Sequence, residues 1–303
     1  MTRGEGDVID FLATPALRAV TPLLIILVLA TGAWIVGRQR RVRFLREAAI
    51  LLGAYFAYFG VRAISEGSSS IALENARLLI ELEQSVGLFV EPSVQGVLLS
   101  SEALVDVVNW IYVWGHWPVI GVVAIWLFAR KPSAYRTYRN ALIISGGIGL
   151  VFYTSFPAAP PRFTDLGFVD TVFGQSNMAQ LMQPTEFTNQ YAAFPSLHFG
   201  WSLLMATAIY RESRRQPLRV VAWLLPLGMF VSIVATANHF VVDALAGGVV
   251  ALIGLRAAVV LDRDGALSWV RWPSLSANPR PIQAEPERAV AAESSVGVLD
   301  LLA

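Results

Sequence analysis

The chain has 303 residues, 55% of them hydrophobic and 15% charged, with a formal net charge of +1. Soluble globular domains average about 45–50% apolar and about 25% charged residues, so this composition is that of a membrane protein. The absence of cysteine excludes disulfide frameworks, thiolate metal sites and cysteine nucleophiles, and the balanced charge leaves no footprint for nucleic acid.

In chain order, mostly apolar segments lie near residues 21–37, 47–64, 104–129, 139–156, 196–210, 218–237 and 240–260. A membrane-crossing helix takes about 20 such residues, and some of these are short for a full span. The pattern predicts an all-α, polytopic integral membrane helical bundle. Residues 1–20 read as an extracytoplasmic segment and 21–262 as the membrane-embedded domain. Residues 263–303, with Pro273, Pro279, Pro281 and Pro286, read as a disordered tail. The first apolar segment has no small-residue cleavage site after it and reads as an anchor.

Loop charges orient the bundle. Arg38, Arg40, Arg41, Arg43 and Arg46 follow the first span, and Arg130, Lys131, Arg136 and Arg139 follow the third. Arg211, Arg214, Arg215 and Arg219 follow the fifth, whereas the intervening loops 65–103 and 157–195 hold only Arg77 and Arg162 as basic residues. The positive-inside rule places the basic loops and the carboxyl terminus in the cytoplasm and the amino terminus outside, as in a multi-pass plasma-membrane protein. Residues 71–100 carry Leu78, Leu79, Leu82 and Val86 at helical spacing among several glutamates, with Gly87 and Pro92 as breakers. They predict an amphipathic helix lying at the outer interface. Residues 157–195, rich in proline and amides, predict a lid or binding loop.

All three histidines, His116, His198 and His239, fall at the outer ends of their predicted spans, which points to one site. His239 and Asp243 stand four apart, on one helix face. The carboxylate there can hold one imidazole nitrogen as N–H and leave the other to attack; the alternative is a pair that only helps helices pack. In Pro195-Ser196-Leu197-His198, Ser196 reads as the start of a helix whose outward N–H groups suit a phosphate, with His198 placed to donate a proton. An ordinary cap and an interfacial anchor explain that segment equally well. Arg162, after Pro160 and Pro161, offers a bidentate fork to phosphate, or snorkels to lipid headgroups. Asn109 and His116 share a seven-residue polar repeat with Glu102, which faces a wet cavity or bonds helix to helix.

Taken together, these segments resemble the type 2 phosphatidic acid phosphatase superfamily over roughly residues 70–260. The resemblance is most specific at PSLH (195–198) and NHFVVD (238–243) and is supported by GHWP (115–118) and APPR (159–162). It is closest to the branch containing inositol phosphorylceramide synthases and their bacterial relatives. It implies a six-helix core, here with one extra N-terminal span, and a phosphoryl-transfer site that works without metal or other cofactor. By that resemblance His239 is the nucleophile that becomes a phosphohistidine, Asp243 orients it, and His198 protonates the leaving alcohol. Ser196, Arg162, His116, Asn109 and Arg77 are then the substrate-binding candidates. Two departures stand out: Ser155 occupies the place of the first motif's lysine, and Ile233 that of the third motif's arginine.

The expected activity is transfer of a phospho-headgroup, phosphoinositol among the candidates, from a membrane lipid to a lipid or glycolipid alcohol. Hydrolysis of a lipid or polyprenyl phosphate uses the same residues. A non-enzymatic lipid-binding membrane protein is the rival of another class, and it predicts that His239 is dispensable. Three histidines and an aspartate could also hold zinc, which the resemblance does not favour.

Overall fold

The computed structural model describes residues 38–64, 68–172 and 189–263. These residues form nine α-helices: α1 (Arg38–Ile64), α2 (Ser69–Ser85), α3 (Glu91–Leu98), α4 (Glu102–Trp114), α5 (Trp117–Arg130), α6 (Pro132–Ser155), α7 (Leu197–Glu212), α8 (Gln216–Ala235) and α9 (Val241–Arg263). Among the described residues no strand forms, and one isolated parallel bridge joins Ala158 to Ala192. Proline opens α3, α5, α6 and α8 within the first two positions, where its missing N–H costs nothing.

The turn between α2 and α3 follows from its glycine. Gly87 adopts φ 70°, while Leu88 N–H donates to Glu83 O (2.7 Å) and Gly87 N–H to Gln84 O (3.3 Å). This is the paired closure that ends a helix on a left-handed residue. The predicted amphipathic stretch is thus two helices, broken where Gly87 and Pro92 predicted it.

The core lies where α6, α7, α8 and α9 meet, with Leu204, Met205, Met229 and Ile233 fully enclosed. Outside, Trp110, Val122, Trp223, Leu227, Val249 and Ile253 are exposed. Apolar surface on that scale marks contact with lipid. Helices α8 and α9 are long and apolar enough to cross a membrane, as expected for 218–237 and 240–260. The pair α3–α4, bent by 117°, adds a third if counted as one span.

The expected span 104–129 is not one helix. Gly115 and His116 separate α4 from α5, because Pro118 favours a helix start there and no backbone N–H can be donated from that ring. Segment 47–64 is helical within α1, and 139–156 and 196–210 are largely helical within α6 and α7, but α6 and α7 do not reach span length and apolarity together: arginines interrupt α6, and α7 has 16 residues. The segments 1–20 and 21–37 and the tail beyond Arg263 lie outside the described residues.

Several arginines assigned to loops lie on helix ends, and one of them is enclosed. Arg139 is buried within α6, where it pairs with buried Glu47 of α1 and donates to Asn140 Oδ1 (2.8 Å). Pairing and hydrogen bonding are what allow a charge to be enclosed.

Helices α7 and α9 cross closely through glycines. A Cβ on Gly247 would collide with the Ser196 carbonyl oxygen, and one on Gly200 with the Gly247 carbonyl oxygen. Gly247→Ala is therefore expected to push the start of α7 away from α9, at a cost of about 1–3 kcal/mol. The detergent-solubilised variant should unfold at a lower temperature than the parent. Equal melting temperatures would show that the crossing tolerates the methyl group.

Candidate active site

The turn between α8 and α9 carries His239, and its backbone is tightly held. Ala237 adopts φ 54°, a left-handed conformation that costs an alanine about 1–2 kcal/mol. It is fixed from both sides: Ala237 N–H donates to Val234 O (3.0 Å), and its carbonyl accepts from Arg162 N–H (3.0 Å). Asn238 and His239 both donate their N–H groups to Ile233 O at 3.0 Å. The imidazole leaves this turn already aimed.

Its tautomer follows from its partners. His239 Nδ1 lies 2.9 Å from Ala193 O and 3.3 Å from Asp243 Oδ2. A carbonyl oxygen only accepts, so Nδ1 carries the proton and Nε2 holds the lone pair. Asp243 is fully buried, and its Oδ2 also accepts from Phe240 N–H (2.9 Å). Ala193 is placed by the bridge between residues 158 and 192, in which Ala158 N–H donates to Tyr191 O (2.8 Å) and Ala193 N–H to Ala158 O (3.2 Å).

His198 sits in the first turn of α7. Its ring centroid lies 5.7 Å from that of His239 and 4.3 Å from that of His116. Tyr112 stacks on it at 4.9 Å, and Trp201 stacks on His116 at 5.8 Å. The three histidines expected at one level do form one cluster. His239 is 6% exposed and His116 5% exposed, and Trp117, Trp201 and the His198 ring pack against His116. His116 Nδ1 is buried without a hydrogen-bond partner.

Ser196 is the residue before α7, as expected, but its hydroxyl does not cap the helix. It is buried and unpartnered, while its N–H donates to Asp243 O (2.9 Å), tying the two halves of the site together. Among the described residues no group of three or more His, Asp or Glu side chains converges as a metal site would require.

Arg162 reaches the cluster through Asn238. Its Nη1 donates to Asn238 Oδ1, its Nε lies 3.3 Å from Asp170 Oδ2, and its side chain is only 9% exposed. Asn238 is itself held by Thr236 Oγ1 (2.8 Å). A guanidinium so enclosed beside His239 is not snorkelling to headgroups. Charge-assisted hydrogen bonds contribute about 1.5–3 kcal/mol, so Arg162→Lys is expected to raise KM for a phosphate substrate by about ten- to hundredfold. Unchanged KM and kcat would remove Arg162 from phosphate binding.

The remaining candidates lie apart. Asn109 gives its amide to Thr171 O (2.7 Å) and accepts from Thr171 Oγ1 (3.0 Å), so it clasps the segment after α6 to α4. Arg77 is exposed on α2 and joins none of these contacts among the described residues. Sequence reasoning passed over Asn238, Asp170, Glu83 and Glu91. The position of Asn238 beside His239 was a signal for it, whereas Glu83 and Glu91 stand among four glutamates of the amphipathic stretch and nothing local sets them apart.

No curated protein and no solved structure matches the chain. A family model described as the PAP2 superfamily matches residues 77–257, a stretch that runs from α2 into α9 and includes His116, Arg162, His198, His239 and Asp243. The chain belongs to the PAP2 superfamily.

Proposed function

We propose that this protein transfers a phospho-headgroup from a membrane lipid to a lipid or glycolipid alcohol through a phosphohistidine at His239. Membership of the superfamily makes it a membrane enzyme of the phosphatase or phosphotransferase type acting on lipid phosphates. The observation that supports the finer reading is the hydrogen bonding of the His239 imidazole. With Nδ1–H directed at Ala193 O and Asp243, Nε2 is the nitrogen suited to bond to phosphorus.

In the first step His239 Nε2 bonds to phosphorus as the bond to the leaving lipid oxygen breaks, and His198 gives that oxygen its proton. In the second, an acceptor alcohol attacks phosphorus, His198 takes the alcohol's proton, and the P–N bond breaks to restore His239. Asp243 stabilises the positive charge that develops on the imidazole, and Arg162, oriented by Asn238, holds the phosphoryl oxygens. An alcohol is the acceptor in this reading where it reaches the phosphoenzyme ahead of water. Phosphoinositol is the headgroup suggested by the resemblance to inositol phosphorylceramide synthases. The alternating loop charges favour a site at the outer face of the plasma membrane.

The test is to incubate the purified protein with phosphorus-labelled phospholipids and polyprenyl phosphates, with and without lipid alcohols. Label moving into a new lipid is the expected result. Label released as phosphate or as a soluble headgroup, whether or not alcohol is present, would make the protein a hydrolase.

A further inference from the structure

The amino terminus of α9 is capped by carboxyl oxygens from three helices. Phe240 N–H donates to Asp243 Oδ2 (2.9 Å), Val241 N–H to Glu91 Oε1 of α3 (2.8 Å), and Val242 N–H to Glu83 Oε1 of α2 (2.6 Å). These are N–H groups that a helix start leaves without intrahelical partners. Glu83 is 1% exposed and Glu91 is 0% exposed, so both are enclosed as completely as core leucines. The closure at Gly87 turns α2 back into α3, and the two carboxyl groups converge on successive amides, those of Val242 and Val241. Their second oxygens, Glu83 Oε2 and Glu91 Oε2, are buried and meet no donor among the described residues.

Two ionised carboxylates facing each other without a cation would repel strongly in a medium of low polarity. One proton held between Oε2 and Oε2 removes that repulsion and supplies the missing donor. We propose that Glu83 and Glu91 share one buried proton and act together as positioning residues that fix the first turn of α9, and with it His239 and Asp243. The inference rests on His239 being the reacting group. The titratable groups that face Glu83 are Glu91 from α3 and Asp243 from α9, with His239 beyond Asp243. Burial, followed by the charges of Glu91 and Asp243, pushes the Glu83 carboxyl up to about 8 against the amide of Val242, which pulls it down.

Loss of the proton above about pH 8 sets two anions against each other at the base of the turn that carries His239. The folded state binds this proton more tightly than the unfolded chain does, so its contribution to stability is complete below the ordinary glutamate range. That contribution declines as pH rises and is gone above about pH 8. A glutamine at position 83 donates permanently to Glu91 and has no proton to lose.

Full-length protein in detergent is compared as wild type, Glu83→Gln, Glu83→Ala and Glu91→Ala. Melting temperatures need no substrate: the advantage of Glu83→Gln over wild type should grow from about pH 5 to about pH 8. A difference that stays constant across that range overturns the shared proton. In the labelled-lipid assay, wild-type kcat should fall near pH 8, and Glu83→Gln should lack that fall. Both alanine variants should lose kcat by about ten- to hundredfold with KM little changed, as expected when a reacting group is misplaced. The same alkaline fall in Glu83→Gln, or wild-type kcat in both alanine variants, overturns the positioning role. Turnover that survives His239→Ala would instead defeat the nucleophile reading, and the melting comparison would still decide the shared proton by itself.

Discussion

Replacing His239 with alanine is expected to lower turnover by roughly 10⁴–10⁶-fold, the scale on which removal of an enzymatic nucleophile is felt. The expectation follows from the way the ring is held. Nδ1–H is fixed by Ala193 O and Asp243, the turn behind it is pinned at Ala237 and Ile233, and Nε2 is the one nitrogen able to form a bond to phosphorus. The variant removes that nitrogen and leaves the backbone bonds of the turn in place. Melting temperature and helical content, measured beside turnover, separate loss of chemistry from loss of fold. A variant that is folded and retains turnover would remove His239 from the mechanism and restore the lipid-binding rival.

The second large effect falls at His198. A general acid contributes about 10²–10⁴-fold, so His198→Ala should lose turnover in that range with a lipid alcohol as leaving group. The loss should shrink when the leaving group is an activated phenol that departs without a proton. That contrast distinguishes proton donation from a packing role, because a misplaced His239 would slow both substrates alike. The stack of Tyr112 on His198 and its neighbour His116 keep the ring at its height in the cluster. Equal losses with the two leaving groups would assign His198 to structure.

Much of this site can be read in the sequence because its residues lie on short local patterns. His239 and Asp243 are four residues apart, although His239 stands in the turn before α9 and not on the helix face expected for it, and Pro195 with Ser196 marks the start of α7. A common level for the three histidines is expected from the apolar segment lengths, and the structure brings their rings together. What could not be read depends on contacts between distant segments. Asn109 sits on the expected polar repeat, yet its partner is Thr171, 62 residues away. Arg139 counts as a loop cation in sequence, yet Glu47, 92 residues away, draws it inside. Glu83 and Glu91 look like solvated charges on an amphipathic stretch until the α9 amides appear beside them. The apolar run 104–129 hides the break at Gly115 and His116, since composition alone cannot see a change of direction. Hydropathy likewise reports length and not crossing, so α1, α6 and α7 are legible as helices while their relation to the bilayer is not.

The measurement that bears most directly on the account is the fate of the phosphoryl group on the protein. Wild-type protein is mixed with phosphorus-labelled lipid, quenched within the first turnover under alkaline conditions that preserve phosphohistidine, and digested for peptide mapping. The account predicts label on the peptide that carries His239, lost in mild acid and absent from His239→Ala. Label on another residue, or turnover with no labelled protein at any quench time, would contradict it.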